Sequence, residues 1–487
     1  MKTPLKCLLV CGALLLAACS SPSGTTATSQ ASLQPVLPVV SATAAVGVPI
    51  DAPTLEPAAP RNPASLNPDG PYVVFEGDDG IWISNPDGSF LTRLSDTGVG
   101  EADLQRSVSP QGDALAFIRP SEHGPLLVQL DLPSGQTKVL ATLQAVIPDD
   151  VVADPLTDQA FAYYAITMYD NVAWQPGDAR YLAFTGAING PTSDLYLYDT
   201  ETEAVTQLTD GGSQAVYPTW SPDAEYIVHF GGRWTPPFGG AIIGYNQADG
   251  AWAVRLEDGA VITQPTGVLW PWNFVGWTAD NRYIASEADD VCGERNLLSI
   301  PPGGGEPATL FEGCFASYAA LSPASEAVLF SSSDCEECPL GVGTFLLPSE
   351  ETDPRRVLEA QSWGIDWLEE GNAFHAYPEA LVSSEGEVLS RPPVPDASYH
   401  PARSLQGYEA WEVIENQQGR VVVRPPGGEF RTILEAGVAT LIWDPLRGDT
   451  LLIATRDGRV IAASAPGFAP REVGELGDAA DQAIWVP

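Results

Sequence analysis

Residues 171–230 read NVAWQPGDARYLAFTGAINGPTSDLYLYDTETEAVTQLTDGGSQAVYPTWSPDAEYIVHF and contain one signal twice. A proline-centred turn leads directly into an apolar strand, first at residues 175–184 and again at residues 221–228. Between the two turns, the alternating residues 194–199 predict a second strand and the short run 205–210 predicts a third. The stretch therefore predicts a repeating unit of short strands. The high content of turn residues, with 46 Gly and 44 Pro, favours an all-β protein.

The same turn and strand recur along the rest of the chain. Further copies begin at Asn67, Ser109, Thr278, Ser322, Glu369 and Asp444. A ninth, weaker copy lies near His400-Pro401, and tryptophan precedes several turns, at Trp174, Trp220, Trp277, Trp367 and Trp443. Many spacings are about 42 to 46 residues, the length of one four-stranded propeller blade. We therefore predict a single closed β-propeller of four-stranded blades, with eight blades as the best count and about seven to nine as the range.

These repeats resemble the WD-like repeats of TolB-type propellers, in which an apolar strand, a D-[IL]-[YW] strand and a short L-T strand follow each turn. The resemblance covers residues 67–487 and is strongest at 67–96 and 171–230. It implies a fold that many functions share. The α/β domain that precedes the propeller in TolB has no counterpart in this sequence. Residues 483–487 supply a strand that the first blade lacks, so we expect the C-terminal strand to close the ring.

The N-terminus predicts export and lipid attachment. Lys2 and Lys6 precede the apolar run 8–18, which has the length of a signal peptide. Leu16-Ala17-Ala18-Cys19 resembles the bacterial lipobox, which implies cleavage after residue 18 and acylation of Cys19, for example with palmitate. An ordinary secretory signal with an incidental Cys19 is the alternative. We expect anchoring on the extracytoplasmic side of the cell envelope, facing the periplasm, with the choice between inner and outer membrane left open.

Residues 19–66 predict a tether. Beyond Cys19 they are mostly Ser, Thr, Ala, Pro and Val, with too little apolar and aromatic surface to offset the entropy of folding, so we expect a disordered linker. The whole chain has 23 Lys and Arg against 63 Asp and Glu, a formal net charge of −40. This charge argues against nucleic acid as a partner and against a basic membrane-binding patch. Membrane attachment is therefore expected through the lipid on Cys19.

Four cysteines follow the lipobox: Cys292, Cys314, Cys335 and Cys338. In an exported protein an even number favours disulfides, although the sequence leaves their connectivity open. Cys335 and Cys338 have CxxC spacing, which is also compatible with a redox pair. A four-cysteine zinc site would be expected to contain two such pairs, and the sequence has one.

No catalytic residue, resident cofactor or metal site is identified. The four histidines, at 123, 229, 375 and 400, fall in different predicted blades. The pairs Asp78-Asp79, Asp149-Asp150 and Asp289-Asp290 could bind calcium or be solvated turns. The sequence has no G-x-S-x-G nucleophile elbow, which separates it from propeller-bearing peptidases. Whether the protein binds a metal is left open, and no cofactor is expected.

Residues 231–275 depart from the repeat and are rich in aromatic residues. Trp234, Trp252, Trp270 and Trp272 could form a stacking platform for a ligand, or simply pack their blade. Together these features predict a lipid-anchored, non-catalytic binding or scaffold module for a protein or another envelope component. The alternatives are a metal-dependent hydrolase or lyase with its site at the central channel, and a glycan-binding module that uses these aromatic residues.

Overall fold

The computed structural model describes residues 70–77, 80–88, 90–95, 104–119, 121, 124–144, 158–167, 171–235, 245–265, 273–289, 293–315, 318–335, 337–349, 351, 353–395, 397–477 and 483–486. The predicted signal peptide (residues 1–18) and tether (19–66) lie outside this part of the chain. In the described part, strands form nine antiparallel sheets, eight with four strands and one with three. The predicted all-β propeller is confirmed.

Each sheet is one blade. Blade 1 contains β1 (Tyr72–Gly77), β2 (Gly80–Ser84), β3 (Thr92–Arg93) and the last strand, β35 (Ala483–Val486). Blade 2 contains β4 (Ala114–Arg119), β5 (Leu126–Asp131) and β6 (Thr137–Thr142). Blade 3 contains β7 (Val172–Trp174), β8 (Tyr181–Gly186), β9 (Asp194–Asp199) and β10 (Ala204–Gln207). Blade 4 contains β11 (Gln214–Trp220), β12 (Tyr226–Thr235), β13 (Tyr245–Arg255) and β14 (Val261–Thr263).

The later blades follow the same order. Blade 5 contains β15 (Phe274–Trp277), β16 (Tyr283–Asp289), β17 (Gly293–Ile300) and β18 (Ala308–Phe315). Blade 6 contains β19 (Ala319–Leu321), β20 (Val328–Ser332), β21 (Gly343–Leu347) and β22 (Arg355–Leu358). Blade 7 contains β23 (Gly364–Leu368), β24 (Ala373–Tyr377), β25 (Ala380–Ser383) and β26 (Val388–Ser390). Blade 8 contains β27 (Ser398–Arg403), β28 (Glu409–Glu415), β29 (Gln418–Arg424) and β30 (Arg431–Leu434). Blade 9 contains β31 (Val438–Trp443), β32 (Thr450–Thr455), β33 (Arg459–Ser464) and β34 (Ala469–Glu475).

Helices are few and short. They are α1 (Leu104–Ser107), α2 (Asp158–Thr167) and a 3-10 turn at Glu369–Gly371. In α2, Ala162 and Ile166 pack into the core shared by blades 2 and 3. The side-chain amide of Asn171 donates to the carbonyl oxygens of Ala165 and Ile166, which secures the C-terminal end of this helix. Among the described residues, no helix has both the length and the apolar character that crossing a bilayer requires.

The blade beyond the best estimate of eight is blade 8, the one with the weakest sequence signal. Its inner strand β27 contains His400-Pro401, and its turn spans residues 404–407. The count of nine is one above the best estimate and lies within the range of seven to nine. Ser404 Oγ accepts the backbone N–H of Tyr408 at 3.1 Å, as Ser221 Oγ accepts that of Tyr226 at 3.0 Å. The weak turn thus retains the serine that closes these corners but lacks their proline.

The alternating direction of the strands gives the propeller two distinct faces. We call the face on which each inner strand begins the start face, and the face on which it ends in its turn the corner face. Since neighbouring strands are antiparallel, connections between blades and from second to third strands lie on the start face. Connections from inner to second strands and from third to outer strands lie on the corner face.

The C-terminal strand closes the ring by completing blade 1. Strand β35 pairs antiparallel with β1, from Tyr72 opposite Val486 to Phe75 opposite Ala483. In blade 2, a bridge between Val108 and Leu115 takes the place of the inner strand. Val73, Phe75, Ala483 and Trp485 of blade 1 share a core with blade 9. The first and the last described strands are therefore held within one sheet.

Tryptophan side chains connect neighbouring blades. In four cases the indole Nε1 donates to an acceptor in the preceding blade, at 2.9–3.1 Å: Trp174 to the Ser107 carbonyl, Trp220 to the Ala173 carbonyl, Trp277 to the Thr219 hydroxyl and Trp485 to the Ile442 carbonyl. A buried indole N–H usually has such a partner. Three of the tryptophans that mark the repeat in the sequence, Trp174, Trp220 and Trp277, therefore join one blade to the next, as Trp485 does at the closure.

Asp194 is the first residue of the D-[IL]-[YW] strand in blade 3. It is buried, and its Oδ1 accepts hydrogen bonds from Gly211 N at 3.0 Å and from Thr209 Oγ1 at 3.2 Å. These bonds hold the link that leads from blade 3 to blade 4. Burial raises the pKa of Asp194 to about 7. The two hydrogen bonds lower the pKa, but their effect is smaller than that of burial.

We expect Trp485→Phe to lower the free energy of unfolding by about 1 to 2 kcal/mol, because the buried carbonyl of Ile442 loses its donor. Trp443→Phe is the matched control, since Trp443 is equally buried and its Nε1 has no protein partner among the described residues. Urea unfolding followed by far-ultraviolet circular dichroism measures both. If Trp485→Phe lowers the free energy of unfolding no more than Trp443→Phe does, the bond from Trp485 to Ile442 does not stabilise the closure.

We expect Asp194→Asn to change how stability depends on pH. Since the pKa of Asp194 is about 7 in the folded protein and ordinarily 3.8, this group makes the protein less stable as pH rises from about 4 to about 7. Asparagine retains the acceptor oxygen without titrating. The stability of Asp194→Asn relative to the parent should therefore increase as pH rises from about 5 to about 8. Thermal unfolding at each pH measures this difference.

Asp199→Asn is the control for this experiment, on the same strand. Arg180 donates to Asp199 at 2.8 Å and lowers its pKa, so the Asp199 carboxylate is favoured above its ordinary pKa. Asp199→Asn should thus cost stability at pH 5 and pH 8 alike. If Asp194→Asn behaves in the same way, the assignment of a raised pKa to Asp194 is wrong.

Candidate functional site

The aromatic residues singled out in residues 231–275 are not brought together in the described part. Trp252, on β13, is half-buried and stacks on the ring of His229, with centroids 5.8 Å apart. A side chain at Gly231 would collide with the Trp252 ring, so this tryptophan packs closely on its own blade. Trp234 lies on β12 opposite Asn246, and Trp270 and Trp272 lie outside the described residues.

Three of the four later cysteines are in the described part. Cys335 and Cys338 form a disulfide, with their Cα atoms 5.0 Å apart, in the start-face link between β20 and β21. Cys314, on β18, is also disulfide-bonded, and its backbone N–H donates to the Glu337 carbonyl at 3.3 Å. Cys292 and Cys19 lie outside the described residues. Disulfide chemistry thus concentrates where blades 5 and 6 meet on the start face.

The described histidines stand in three different blades. His229 and His375 are buried, and desolvation lowers the pKa of each to about 4, so both are neutral at physiological pH. Only His400 is exposed, with 41% of its side chain accessible. His123 lies outside the described residues, as do Asp78, Asp79, Asp149, Asp150 and Asp290. In the described ranges, no three His, Cys, Asp or Glu side chains come together as metal ligands.

An aromatic patch occupies the start face of blades 6 to 8. We define it by Tyr318, Trp363, Tyr377 and Tyr399. Trp363 stands immediately before β23, and its side chain is 67% exposed, the highest value for a large hydrophobic residue in the described part. Its backbone N–H donates to the Tyr377 carbonyl at 2.8 Å. The Tyr377 and Tyr399 rings meet across blades 7 and 8, with centroids 6.1 Å apart.

Buried hydroxyl groups hold the backbone beneath the patch. The Ser331 N–H donates to the Tyr318 carbonyl at 3.1 Å, and its hydroxyl donates to the Ser362 carbonyl at 2.8 Å. Ser331 thus holds the backbone of Tyr318 directly. It also holds Ser362, the residue that precedes Trp363. Ser362 Oγ also lies 2.7 Å from Thr344 Oγ1. The patch therefore combines exposed rings with a hydrogen-bonded base, which limits the entropy lost on binding.

A polar cluster adjoins the patch where blades 8 and 9 meet. Glu412, whose side chain is fully buried, accepts hydrogen bonds at 2.9 Å from His400 Nδ1, from Arg456 Nη2 and from the backbone N–H of Val438. Burial alone would raise the pKa of Glu412, but these donors and the charge of Arg456 lower it overall. His400 is consecutive with Tyr399 of the patch and has φ = 44°, in the left-handed region. The cluster can present imidazole and guanidinium groups to an acidic or hydrogen-bonding group.

Sequence reasoning missed Trp363 and the cluster around Glu412. The position of Trp363 relative to its strand could have identified it. The tryptophans that mark the repeat stand near the turn that follows the inner strand, whereas Trp363 stands at the opposite end of its inner strand. No comparable signal exists for Glu412. Its partners His400, Val438 and Arg456 are brought to it only by the packing of blade 8 against blade 9.

Comparisons with known proteins support no narrower assignment than the fold. No family model matches the chain, and no curated protein matches it. Solved structures similar to it include Porphyromonas gingivalis dipeptidyl peptidase 4, at 12% identity and a TM-score of 0.47, covering 76% of this chain and 59% of that one. The chain thus spans 59% of the length of that peptidase.

Two further solved structures are similar at comparable levels. TolB from Acinetobacter baumannii has 15% identity and a TM-score of 0.28, covering 77% of this chain and 82% of that one. An oligogalacturonate lyase in complex with manganese has 12% identity and a TM-score of 0.34, covering 74% and 84% respectively. The nine sheets themselves make this chain a β-propeller, a fold found in enzymes and in non-catalytic proteins alike.

Proposed function

We propose that this protein is a lipid-anchored, extracytoplasmic β-propeller that acts as a non-catalytic binding module for a protein of the cell envelope. The proposed contact surface is the aromatic patch on the start face. The observation that carries the proposal is the exposure of Trp363, 67% of whose side chain faces solvent. Tryptophan and tyrosine are the residue types that most often dominate binding energy at protein interfaces.

The other tryptophans support this choice by contrast. Trp174, Trp220 and Trp485 are buried and donate their indole N–H groups across blades. Trp363 lies outside this pattern and exposes its ring beside two tyrosines. Exposed rings on a fixed base offer apolar area together with hydroxyl and indole groups, which suits a partially polar protein surface.

The N-terminal sequence supports anchoring. The lipobox-like residues 16–19 place the lipid on Cys19, and residues 20–66 form the tether. As a flexible coil, the tether would have an end-to-end distance of about 38 Å, enough for the propeller to engage a partner away from the anchor. The net charge of −40 gives the body no general attraction to an anionic bilayer, which leaves the lipid as the anchor.

We expect Trp363→Ala to reduce capture of the protein partner at least tenfold, as for an interface residue worth about 2 kcal/mol. The test is affinity purification of the tagged full-length protein from solubilised native envelope, with bound proteins quantified. Leu405→Ala is the matched control, because Leu405 is 64% exposed on the opposite, corner face. Equal capture by Trp363→Ala and the parent, or capture of polysaccharide alone, would overturn the proposal.

We expect Cys19→Ser to abolish incorporation of labelled palmitate and to move the protein from the membrane to the soluble fraction, because serine lacks the thiol that carries the lipid. The double substitution of Cys335 and Cys338 by serine is the control, since it removes two other cysteines, paired in a disulfide, without touching the lipobox. Labelling and fractionation of cells measure both outcomes. A Cys19→Ser protein that stays acylated and membrane-bound would rule out lipid anchoring at this residue.

A further inference from the structure

The corner face of blades 8, 9 and 1 carries a second exposed apolar surface. Four of the nine exposed large hydrophobic residues in the described part lie there, on three consecutive blades: Phe90, Leu91, Leu405 and Leu446. Leu405 and Leu446 occupy the turns of blades 8 and 9, and Phe90 and Leu91 occupy the link between β2 and β3. We call these four residues the apolar strip.

Hydrogen bonds join neighbouring blades on this face. Gln406, next to Leu405, donates to the carbonyl of Arg447, next to Leu446. Arg471, at the start of β34, donates to the Asp87 carbonyl at 3.0 Å in the loop that carries Phe90. The turns of blades 8 and 9 are therefore bonded to each other, and the loop of blade 1 is bonded to the outer strand of blade 9.

Phe90 is held in an unusual backbone conformation. Its φ is 59°, in the left-handed region that bulky side chains rarely adopt, and its side chain is 53% exposed. A phenylalanine held in this conformation at an exposed loop costs stability and solubility without adding to the core. Such a residue is best explained by a contact outside the folded chain.

Arginines accompany the strip. Arg431, Arg447 and Arg471 donate to backbone carbonyls of a neighbouring blade, at Pro466, Gly70 and Asp87 respectively. None of the three forms an ion pair with a carboxylate among the described residues. In a chain with a net charge of −40, these arginines give this face positive groups that can contact phosphate.

The N-terminal segment joins the propeller on this same face. Gly70 is the first described residue and precedes β1, which begins opposite the end of β35 on the corner face. The Arg447 guanidinium lies 3.5 Å from the Gly70 carbonyl oxygen, so the chain enters the fold beside Leu446. The described part of the chain thus begins on the corner face.

From these observations we infer that the apolar strip, with its arginines, rests on the phospholipid surface to which the protein is anchored. The apolar side chains enter the headgroup region and the arginines contact lipid phosphates. The start face then points away from the bilayer, towards the partner. This inference rests on the proposed anchoring at Cys19 and adds a defined orientation to it.

The test uses the full-length lipidated protein in phosphatidylcholine vesicles that contain brominated lipid. An environment-sensitive fluorophore is attached to Leu446→Cys, and Trp363→Cys on the start face is the matched control. Both positions are exposed, so labelling should leave the fold intact, which circular dichroism checks. We expect brominated lipid to quench at least half of the emission at position 446 and to leave that at position 363 unchanged.

Co-flotation with the vesicles separates the two proposals. Protein that floats, but shows equal quenching at both positions or none at position 446, overturns the orientation and leaves the lipid anchor intact. Protein that does not float overturns the anchoring and the orientation together. As a further check, Phe90→Asp with Leu405→Asp should reduce quenching at position 446 in protein that still floats, and unchanged quenching would contradict a role for the strip.

Discussion

The pairing of the last strand with the first determines the rest of this structure. While β35 lies beside β1, blade 1 has its inner strand and β1 has a paired neighbour on both sides, so the edge of β1 is not left open. Trp485 reinforces this pairing by bonding blade 9 from within blade 1. Because the closing strand comes from the end of the chain, the ring forms only after all nine blades exist. The closure also brings residue 70, and with it the N-terminal segment, to the corner face.

This single constraint separates two surfaces. The links that vary most in sequence, including the segment around α2 and the disulfide loop at Cys335 and Cys338, join strands on the start face. The aromatic patch lies on that same face, whereas the apolar strip lies beside the point where the chain enters. A propeller tethered at its corner face and carrying its rings on the start face has a direction relative to the membrane. Binding and anchoring then do not compete for the same surface.

The sequence predicted the features that repeat and missed those that depend on neighbouring blades. The turns at Ser109, Ser221 and Thr278 are local, since a hydroxyl closes each on its own strand. Their spacing therefore yielded the fold class and eight of the nine blades. The remaining blade gave only a weak signal at His400-Pro401, within its inner strand, because its turn at Ser404 lacks the proline. Trp252 packs on His229 because the two residues lie directly opposite each other in the pairing of β12 with β13, and the absence of a side chain at Gly231 leaves room for the ring; no local pattern indicates this register. The Glu412 cluster spans two blades, so only their packing reveals it.

Some neighbouring blades are linked by different chemistry on the two faces, although on the corner face Glu326 also accepts the backbone N–H of Ala279 at 2.7 Å. On the start face, buried carboxylates accept backbone N–H groups from the next stretch of chain, as Asp194 does from Gly211 and Glu412 does from Val438. On the corner face, arginine side chains donate to backbone carbonyls of the next blade. Burying a carboxylate is costly unless its oxygens are satisfied, so these acids fix the start-face links in one arrangement. The arginines keep part of their charge accessible, because a carbonyl does not neutralise it. The buried acids thus fix the links of the start face, whereas these arginines place accessible positive groups on the corner face.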